Sequence, residues 1–291
     1  MLYKYMPFAR LDVLENALIR FTQPGDFNDP FELHPSFDLM SKADLAKLPD
    51  APQETGSTGP KMKLLTPEAL HGMLSTLMPG IQRVVRTATP SPQALSLDNN
   101  LIARSVFDER FGILSLTESP TNLLMWAHYA DSHKGFVLQF DPKHEFFAPQ
   151  SLDGETLELT RVEYLNDRPI LSYSTINSHA LYYRKSPAWS YEVEYRLIRP
   201  LSGANKVLEH PIYPRYLFKL PHAAVTAIII GQAMPHENRI AIFKLCERPE
   251  WTHLKIFQVA LSNDYYALEI QPPLNGVPDP SALKGRVLSA R

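Results

Sequence analysis

Two glutamates and an arginine alternate along SYEVEYRLI, residues 190–198. Side chains two residues apart in a β-strand point to the same face about 6.5 Å apart, so a strand here places Glu192, Glu194 and Arg196 together. Apolar and tyrosine side chains occupy the opposite face, which fits a plain amphipathic strand with its charged side in water. The chemical alternative places one glutamate in a cleft as a hydrogen-bond acceptor or general base, with the other glutamate or Arg196 setting its charge.

Aromatic, imidazole and carboxylate groups crowd around one predicted helix end in MWAHYADSH, residues 125–133. His128 and Asp131 are three residues apart and share a helical face, where they could relay a proton or bind a metal ion. A metal site needs a third ligand and no H-E-x-x-H pattern supplies it, so a local hydrogen bond is the simpler role for His128. Trp126 and Tyr129 fit core or cleft lining, although such rings also stack on a nicotinamide or a base.

The segment DFNDPFE, residues 26–32, is typical of a polar turn. Asp29 should be extended because it precedes a proline, and the Asn28 side chain can close a turn on its own backbone. Both of these roles are structural. A functional loop would instead present Asn28 or Asp29 to a polar ligand.

These side chains must be positioned by a mixture of strands and helices. Alternation and apolar runs predict strands at 2–5, 18–22, 111–116, 136–140, 157–164, 190–198, 224–231, 255–261 and 265–270, the last two joined by a hairpin at 262–264. Helices are predicted at 11–17, at 120–130 with Ser119 as the cap, at 176–185 and at 235–248. The order has no regular strand-helix-strand rhythm, so we predict an α+β fold with a mixed, mainly antiparallel sheet and flanking helices.

The same pass along the chain predicts its domain organisation. Residues 1–272 are expected to form a single α+β domain. A helical insertion is expected at about 41–100, where two amphipathic patterns are separated by a small, polar stretch. Residues 273–291 are expected to be a loosely attached tail.

Charge and cysteine content narrow the classes of function. The chain has 291 residues and a formal net charge of -2, without the basic excess of a protein that holds nucleic acid through phosphate contacts. We therefore expect no strong non-specific nucleic-acid binding. One cysteine, Cys246, forms no intrachain disulfide and no cysteine-rich zinc site, and its apolar neighbours predict a buried structural thiol. No metal is expected.

Other features bear on location and on enzyme class. No apolar run is long enough to cross a bilayer, so we expect no membrane association and a cytoplasmic location. The chain contains no G-x-G-x-x-G, no G-x-x-x-x-G-K-[ST] and no G-x-S-x-G motif. Rossmann dehydrogenases, P-loop ATPases and typical α/β-hydrolases are therefore disfavoured.

Five blocks resemble one family over residues 2–272. They are LYKYMPF, FNDPFE, LMWAHYADSHKGFVLQFD, WSYEVEYRLI and AIIIG. They are similar to the bacterial domain-of-unknown-function family 2971 (DUF2971). That resemblance implies no activity.

The chain also resembles the ADP-ribosyltransferases in the order of their sparse motifs. These are an early strand with a polar or aromatic residue, a middle strand ending in Ser/Thr before an alanine-rich helix, and a late strand bearing E-x-E. The matching segments are LYKY, SLTESPTNLLMWAHYA and YEVEYRLI. The resemblance implies an ADP-ribosyltransferase-like sheet and an enzyme that acts on NAD as substrate, either as a toxin or as a defence effector, with an acceptor that is not specified.

The resemblance also implies residue roles. Glu194 would stabilise the oxocarbenium-like state formed when nicotinamide leaves ribose, and Glu192 would orient or deprotonate the acceptor. Ser115 would hold the first strand or Glu194. The remaining cofactor-binding candidates are Tyr3, Lys4, Tyr5, Asn28, Asp29, Trp126, His128, Tyr129 and Arg196. Among these, the rings of Tyr5, Trp126 or Tyr129 would stack on nicotinamide and His128 would contact phosphate.

Two other classes of function are compatible with the residues. The first is a non-catalytic module that binds a nucleotide or another small molecule, or a partner protein, in an aromatic and charged cleft. The second is a metal-dependent hydrolase that uses His128, Asp131, His133 and His34. Binding without turnover would favour the first, and stoichiometric metal would favour the second.

Overall fold

The computed structural model of the protein describes residues 1–31, 36–37, 108–152, 155–168, 170–171 and 182–276. The predicted insertion at 41–100 lies outside the described residues, as does residue 277 onward of the predicted tail. His34 also falls outside them.

Short strands dominate the described residues. The strands are β1 Leu2–Met6, β2 Leu18–Phe21, β3 Ser36–Phe37, β4 Phe111–Thr117, β5 Phe136–Phe140, β6 Gln150–Leu152, β7 Glu155–Leu157, β8 Thr160–Arg161, β9 Glu163–Tyr164, β10 Ile170–Leu171, β11 Arg184–Lys185, β12 Glu194–Pro200, β13 Lys206–Leu208, β14 Arg215–Lys219, β15 Val225–Ile230, β16 Lys255–Leu261 and β17 Leu268–Ile270. The α-helices are α1 Asp12–Glu15, α2 Leu123–Tyr129 and α3 His236–Cys246. None of the described helices is long and apolar enough to cross a membrane.

Eight strands form one mixed sheet in the order β17-β16-β15-β5-β1-β4-β12-β8. β15 and β16 are parallel and are connected by α3, whereas the other pairs in this sheet are antiparallel. A separate three-stranded sheet has the order β13-β14-β2. The prediction of an α+β fold with a mixed, mainly antiparallel sheet is confirmed.

Apolar side chains cover both faces of the large sheet, which explains why its central strands are nearly continuous apolar runs. In β5, Leu138 belongs to the larger core, which includes β2 and α3, and Val137 belongs to a smaller core under α2. Trp126 of α2 is completely buried in that smaller core. Gly135, in the turn between α2 and β5, lets this turn lie against the end of β1, because a Cβ at this position would be 2.1 Å from the Met6 carbonyl oxygen.

The sheet opens between β1 and β4. β1 pairs with β5 along all five of its residues, but among the residues that the structure describes it pairs with β4 at one position, Tyr3 opposite Thr117. β4 instead pairs with β12 at seven positions and meets β2 through a bridge between Thr22 and Ile113. Across the opening, the Lys4 ammonium donates a 2.9 Å hydrogen bond to the Ser115 carbonyl.

Several predicted elements differ from the structure. The predicted strand at 190–198 begins at Glu194, because residues Pro187–Glu192 form a 3-10 helix and Val193 is left-handed, with φ 43°. α2 is capped by the Asn122 side chain, which accepts from the Met125 N–H, and not by Ser119. The end of the predicted helix at 176–185 is the strand β11, and the predicted strand at 157–164 is broken into short pieces. In these segments tertiary contacts outweigh local propensity.

Candidate functional site

A cavity of about 440 Å³ occupies the opening between β1 and β4. Its walls come from β1, β2, β4, β11, the turn after β2, α2 and the start of β12. The predicted site residues among its lining are Tyr3, Lys4, Tyr5, Asn28, Ser115, His128, Tyr129, Glu192 and Glu194. The lining also contains residues that the sequence did not single out for function: Arg20, Thr22, Asp26, Phe27, Leu116, Met125 and Lys185.

Glu192 and Glu194 lie at one end of this cavity and share a cation. Lys185 Nζ lies 2.7 Å from Glu192 Oε2 and 3.3 Å from Glu194 Oε2. The two glutamates are 4% and 3% exposed, and Lys185 is 8% exposed. An ammonium group between two buried carboxylates offsets their mutual repulsion, so both can remain ionised side by side.

Arg196 holds Glu194 from behind the cavity. Its Nε and Nη2 donate to the two carboxylate oxygens at 2.9 and 3.0 Å, and its Nη1 donates to the Tyr182 carbonyl at 2.7 Å. Arg196 is 0% exposed, so it is a buried cation and not a wall of the cavity. The interpretation of an amphipathic strand with its charged side in water is wrong, because the charged side is the buried one.

These charges fix the ionisation of Glu194. Burial by itself would raise the pKa of Glu194, but the positive charges of Arg196 and Lys185 outweigh it and lower the pKa to about 2. Glu194 is therefore a carboxylate at any physiological pH. A fixed negative charge inside a partly closed cavity is suited to stabilising a positive charge that develops on a ligand.

The ion pairs of Glu194 predict a dependence of stability on pH. Because the pKa of Glu194 is lower in the folded chain than the usual value for an unfolded glutamate, the stabilisation is complete above about pH 5 and is lost as pH falls toward 2. We expect the unfolding free energy of the wild type to fall by about 2 kcal/mol more than that of Glu194→Gln between pH 6 and pH 3. Urea titrations at the two pH values measure this.

Glu269 of β17 provides the matched control, because it is an exposed glutamate that does not line the cavity. Glu269→Gln should lose stability on acidification in parallel with the wild type. Parallel losses in wild type and Glu194→Gln would contradict the ion-pair assignment.

A hydrogen-bond chain connects the turn after β2 with Glu192. The Asn28 amide donates to the Tyr129 hydroxyl at 3.1 Å, and that hydroxyl donates to Glu192 Oε1 at 2.5 Å. Burial and the neighbouring Glu192 carboxylate raise the pKa of Tyr129, so it stays a neutral donor. The Asn28 side chain was predicted to close a turn on its own backbone, but in the structure it makes this longer-range contact with Tyr129.

The other aromatic candidates have different positions. Tyr5 lines the cavity, and its hydroxyl donates to the Ser119 carbonyl at 2.8 Å. Trp126 lies behind Tyr5 with ring centroids 5.3 Å apart, and its indole N–H donates to the Pro120 carbonyl at 2.9 Å. Trp126 thus supports the wall of the cavity without lining it.

Asp29 is buried at 2% exposure and its carboxylate accepts from the Phe31 N–H at 2.9 Å. This is an Asx turn, which fixes the loop that presents Asn28 and Phe27 to the cavity. Asp29 therefore does not line the cavity, and its role is to fix the backbone of the loop that carries Phe27 and Asn28.

The histidines are dispersed. His128 lines the cavity with Nδ1 3.2 Å from the Tyr191 hydroxyl, whereas His133 stacks on Trp126 at 6.2 Å. Among the described residues, no group of three or more His, Cys, Asp or Glu side chains is placed to hold a metal ion. The metal-hydrolase alternative therefore gains no support from His128, Asp131 and His133.

Two cavity residues were missed for different reasons. Lys185 falls in a predicted helix, and its place between the glutamates depends on the 3-10 helix that brings Glu192 back to it. Arg20 is a charged residue in the otherwise apolar strand LIRF, in which Ile19 and Phe21 are buried. This contrast could have identified Arg20 as a candidate site residue from the sequence. A charged side chain within a buried strand needs a partner or a ligand.

Comparison with known proteins finds a family match for part of this site. Residues 125–197 match the model of a family described as a protein of unknown function, DUF2971. The matched segment contains most of α2, Lys185, both glutamates and Arg196, and over these residues it confirms the resemblance to DUF2971 drawn from the sequence. No curated protein and no solved structure showed significant similarity to the chain.

Proposed function

We propose that this chain, whose residues 125–197 match the DUF2971 family model, is an enzyme that binds NAD in the cavity between β1 and β4 and transfers its ADP-ribosyl group. The observation that carries the proposal is the convergence of three separate sequence segments. Lys4 on β1, Ser115 on β4 and Glu194 on β12 belong to neighbouring strands and line one cavity. They are the segments that resemble the ordered motifs of ADP-ribosyltransferases.

The size and lining of the cavity agree with a small organic ligand. Its volume of about 440 Å³ is within the range of about 300–1,000 Å³ that is usual for such sites. Tyr3, Tyr5, Tyr129 and Phe27 supply aromatic surface for a flat ring, and the lining also provides cations and carboxylates. This combination suits a nicotinamide ring attached to a phosphorylated sugar.

Glu194 has the properties needed at the reacting carbon. When the bond between ribose C1′ and nicotinamide breaks, both bonding electrons leave with nicotinamide and positive charge develops on the ribose ring. The Glu194 carboxylate, ionised and fixed by Arg196, stabilises that charge. Each carboxylate oxygen can accept more than one hydrogen bond, so Glu194 can also accept from a ribose hydroxyl while paired.

Glu192 completes the transfer. The acceptor oxygen or nitrogen forms a bond to C1′ with its own electron pair, and its proton passes to the Glu192 carboxylate and then to solvent. Tyr129 and Lys185 orient Glu192 for this step. With water as acceptor, the products are ADP-ribose, nicotinamide and one proton.

A second candidate function is a module that binds a nucleotide without turnover. The observation that favours it is the pairing of both glutamates with buried cations, Lys185 and Arg196. A carboxylate whose charge is already balanced stabilises a developing cation less than a free one does. In this function the cavity would recognise its ligand through the same residues without breaking a bond.

Proton NMR of NAD incubated with the purified protein tests the proposal. Parallel samples with and without cell extract provide or omit an acceptor. We expect signals of free nicotinamide to appear at the expense of NAD. Broadening of the NAD signals without free nicotinamide would establish the binding module instead, and unchanged signals and line widths would exclude NAD as the ligand.

A further inference from the structure

We propose that Lys4 and Arg20 form an anion subsite in the cavity, where Lys4 of β1 contacts the Ser115 carbonyl of β4, and that this subsite takes a phosphate group of the ligand. The inference deepens the proposed function and rests on it only in assuming that the cavity binds a small molecule. It assigns the ligand class as a phosphorylated compound.

The cations of the subsite differ in their partners from the cations that hold the two glutamates. Lys185 and Arg196 each contact a carboxylate oxygen of the glutamates directly. Lys4 donates to a neutral group instead, the Ser115 carbonyl at 2.9 Å. Arg20 Nη2 contacts Asp26 Oδ2 at 2.5 Å, so one of its three nitrogens is engaged by a carboxylate. Two cationic side chains therefore face the same cavity with one carboxylate partner in direct contact.

An unsatisfied donor lies at the same place. Arg20 Nε is buried and has no hydrogen-bond partner among the residues that the structure describes. Leaving a buried donor without a partner is unfavourable. A phosphate oxygen accepts a charge-assisted hydrogen bond from an arginine N–H, so a phosphate group in this part of the cavity would satisfy Arg20 Nε.

The charges around Lys4 explain why an anion would be held there. The groups that face Lys4 are the Glu194 carboxylate of β12, Arg20 of β2 and Arg10 of the turn after β1. Burial is the largest effect on Lys4, and together with the two arginines it lowers the pKa of Lys4 to about 8 despite Glu194. A bound phosphate would raise the pKa of Lys4 and favour its charged form.

This linkage gives a signature that a merely structural lysine lacks. At pH 8.5 a large fraction of Lys4 is neutral in the free protein, so an anion that binds beside it should draw a proton from the buffer. Isothermal titration with ADP, pyrophosphate and adenosine, in buffers of different ionisation enthalpy, measures the number of protons taken up. We expect ADP and pyrophosphate to bind with uptake of a substantial fraction of one proton.

Variants separate the charge of Lys4 from its titration. Lys4→Met should weaken ADP and pyrophosphate binding at least tenfold and abolish proton uptake, while adenosine binding stays the same. Lys4→Arg should keep most of the affinity but take up no proton, since arginine does not titrate. Arg20→Met should also weaken both phosphate ligands. Lys206→Met, which removes an exposed lysine of β13, is the control and should match the wild type.

The outcomes are distinguishable from those of the NAD experiment. Phosphate ligands that bind with Lys4-dependent proton uptake support the subsite whether or not nicotinamide is released. Adenosine and ADP binding equally well, pyrophosphate failing to bind, or a folded Lys4→Met protein with wild-type affinity would each overturn the subsite. ADP binding without pyrophosphate binding would show that the nucleoside drives recognition, and would also overturn it.

Discussion

Nicotinamide release from NAD falls at least about 100-fold in Glu194→Gln, the largest effect on activity that we expect from a single substitution. The amide has nearly the same shape as the carboxylate but lacks the negative charge that would stabilise the oxocarbenium-like state. Because Arg196 and Lys185 keep Glu194 fully ionised in the wild type, the substitution removes a whole charge at the reacting carbon. Initial rates of nicotinamide release, measured by NMR, test this.

The comparison needs a folded variant and a matched control. Far-UV circular dichroism and a cooperative urea transition establish folding of Glu194→Gln, and Glu269→Gln supplies an exposed glutamate change that should leave the rate unaltered. Glu192→Gln should lower the rate less when water or a strong nucleophile is the acceptor, since in the proposed mechanism Glu192 takes only the acceptor proton. Full turnover by folded Glu194→Gln would contradict the mechanism.

Arg196→Met destabilises the fold by about 3–5 kcal/mol, the largest effect on stability that we expect. Arg196 is completely buried, and its guanidinium supplies two hydrogen bonds to Glu194 and one to the Tyr182 carbonyl. Methionine fills much of the same space but removes the two hydrogen bonds to Glu194, which keeps its direct ion pair with Lys185. The free energy of unfolding from urea titration measures the loss.

Two further variants test the reason for this loss. Arg215→Met removes an exposed arginine of β14 and should change stability by less than about 1 kcal/mol. The double variant Glu194→Gln, Arg196→Met should lose less than the sum of the single losses, because neither charge is then left unpaired. A loss below about 1 kcal/mol for Arg196→Met, or strict additivity, would contradict a buried ion pair.

Much of the sheet is determined by local sequence. β4, β5, β15 and β16 are nearly continuous apolar runs, and the structure places each of them within a residue or two of its predicted bounds. The hairpin of β16 and β17 follows from a polar turn between two apolar segments. β4, β5 and β15 are buried on both faces, so burial and local pattern give the same answer for them.

The region from 187 to 196 shows where local pattern fails. Strict alternation in SYEVEYRLI predicted one strand, with its charged face either in water or with a glutamate in a cleft, but Val193 is left-handed and the charged residues are buried. Alternation identifies which side chains share a face but not which face is inward. That choice depends on whether the charged side chains find partners when buried, and here Lys185 of β11 and Arg196 of β12 pair with the glutamates.

The sequence by itself determined the types of side chain in the site and the segments that carry them. The tertiary structure alone decided that β1 and β4 part after Tyr3, that Lys185 sits between two glutamates, and that Arg20 and Lys4 face one cavity. These arrangements join residues up to about 190 positions apart, from Lys4 to Glu194. Their energies come from burial and charge pairing across strands, which are properties of the packed chain and not of any local segment.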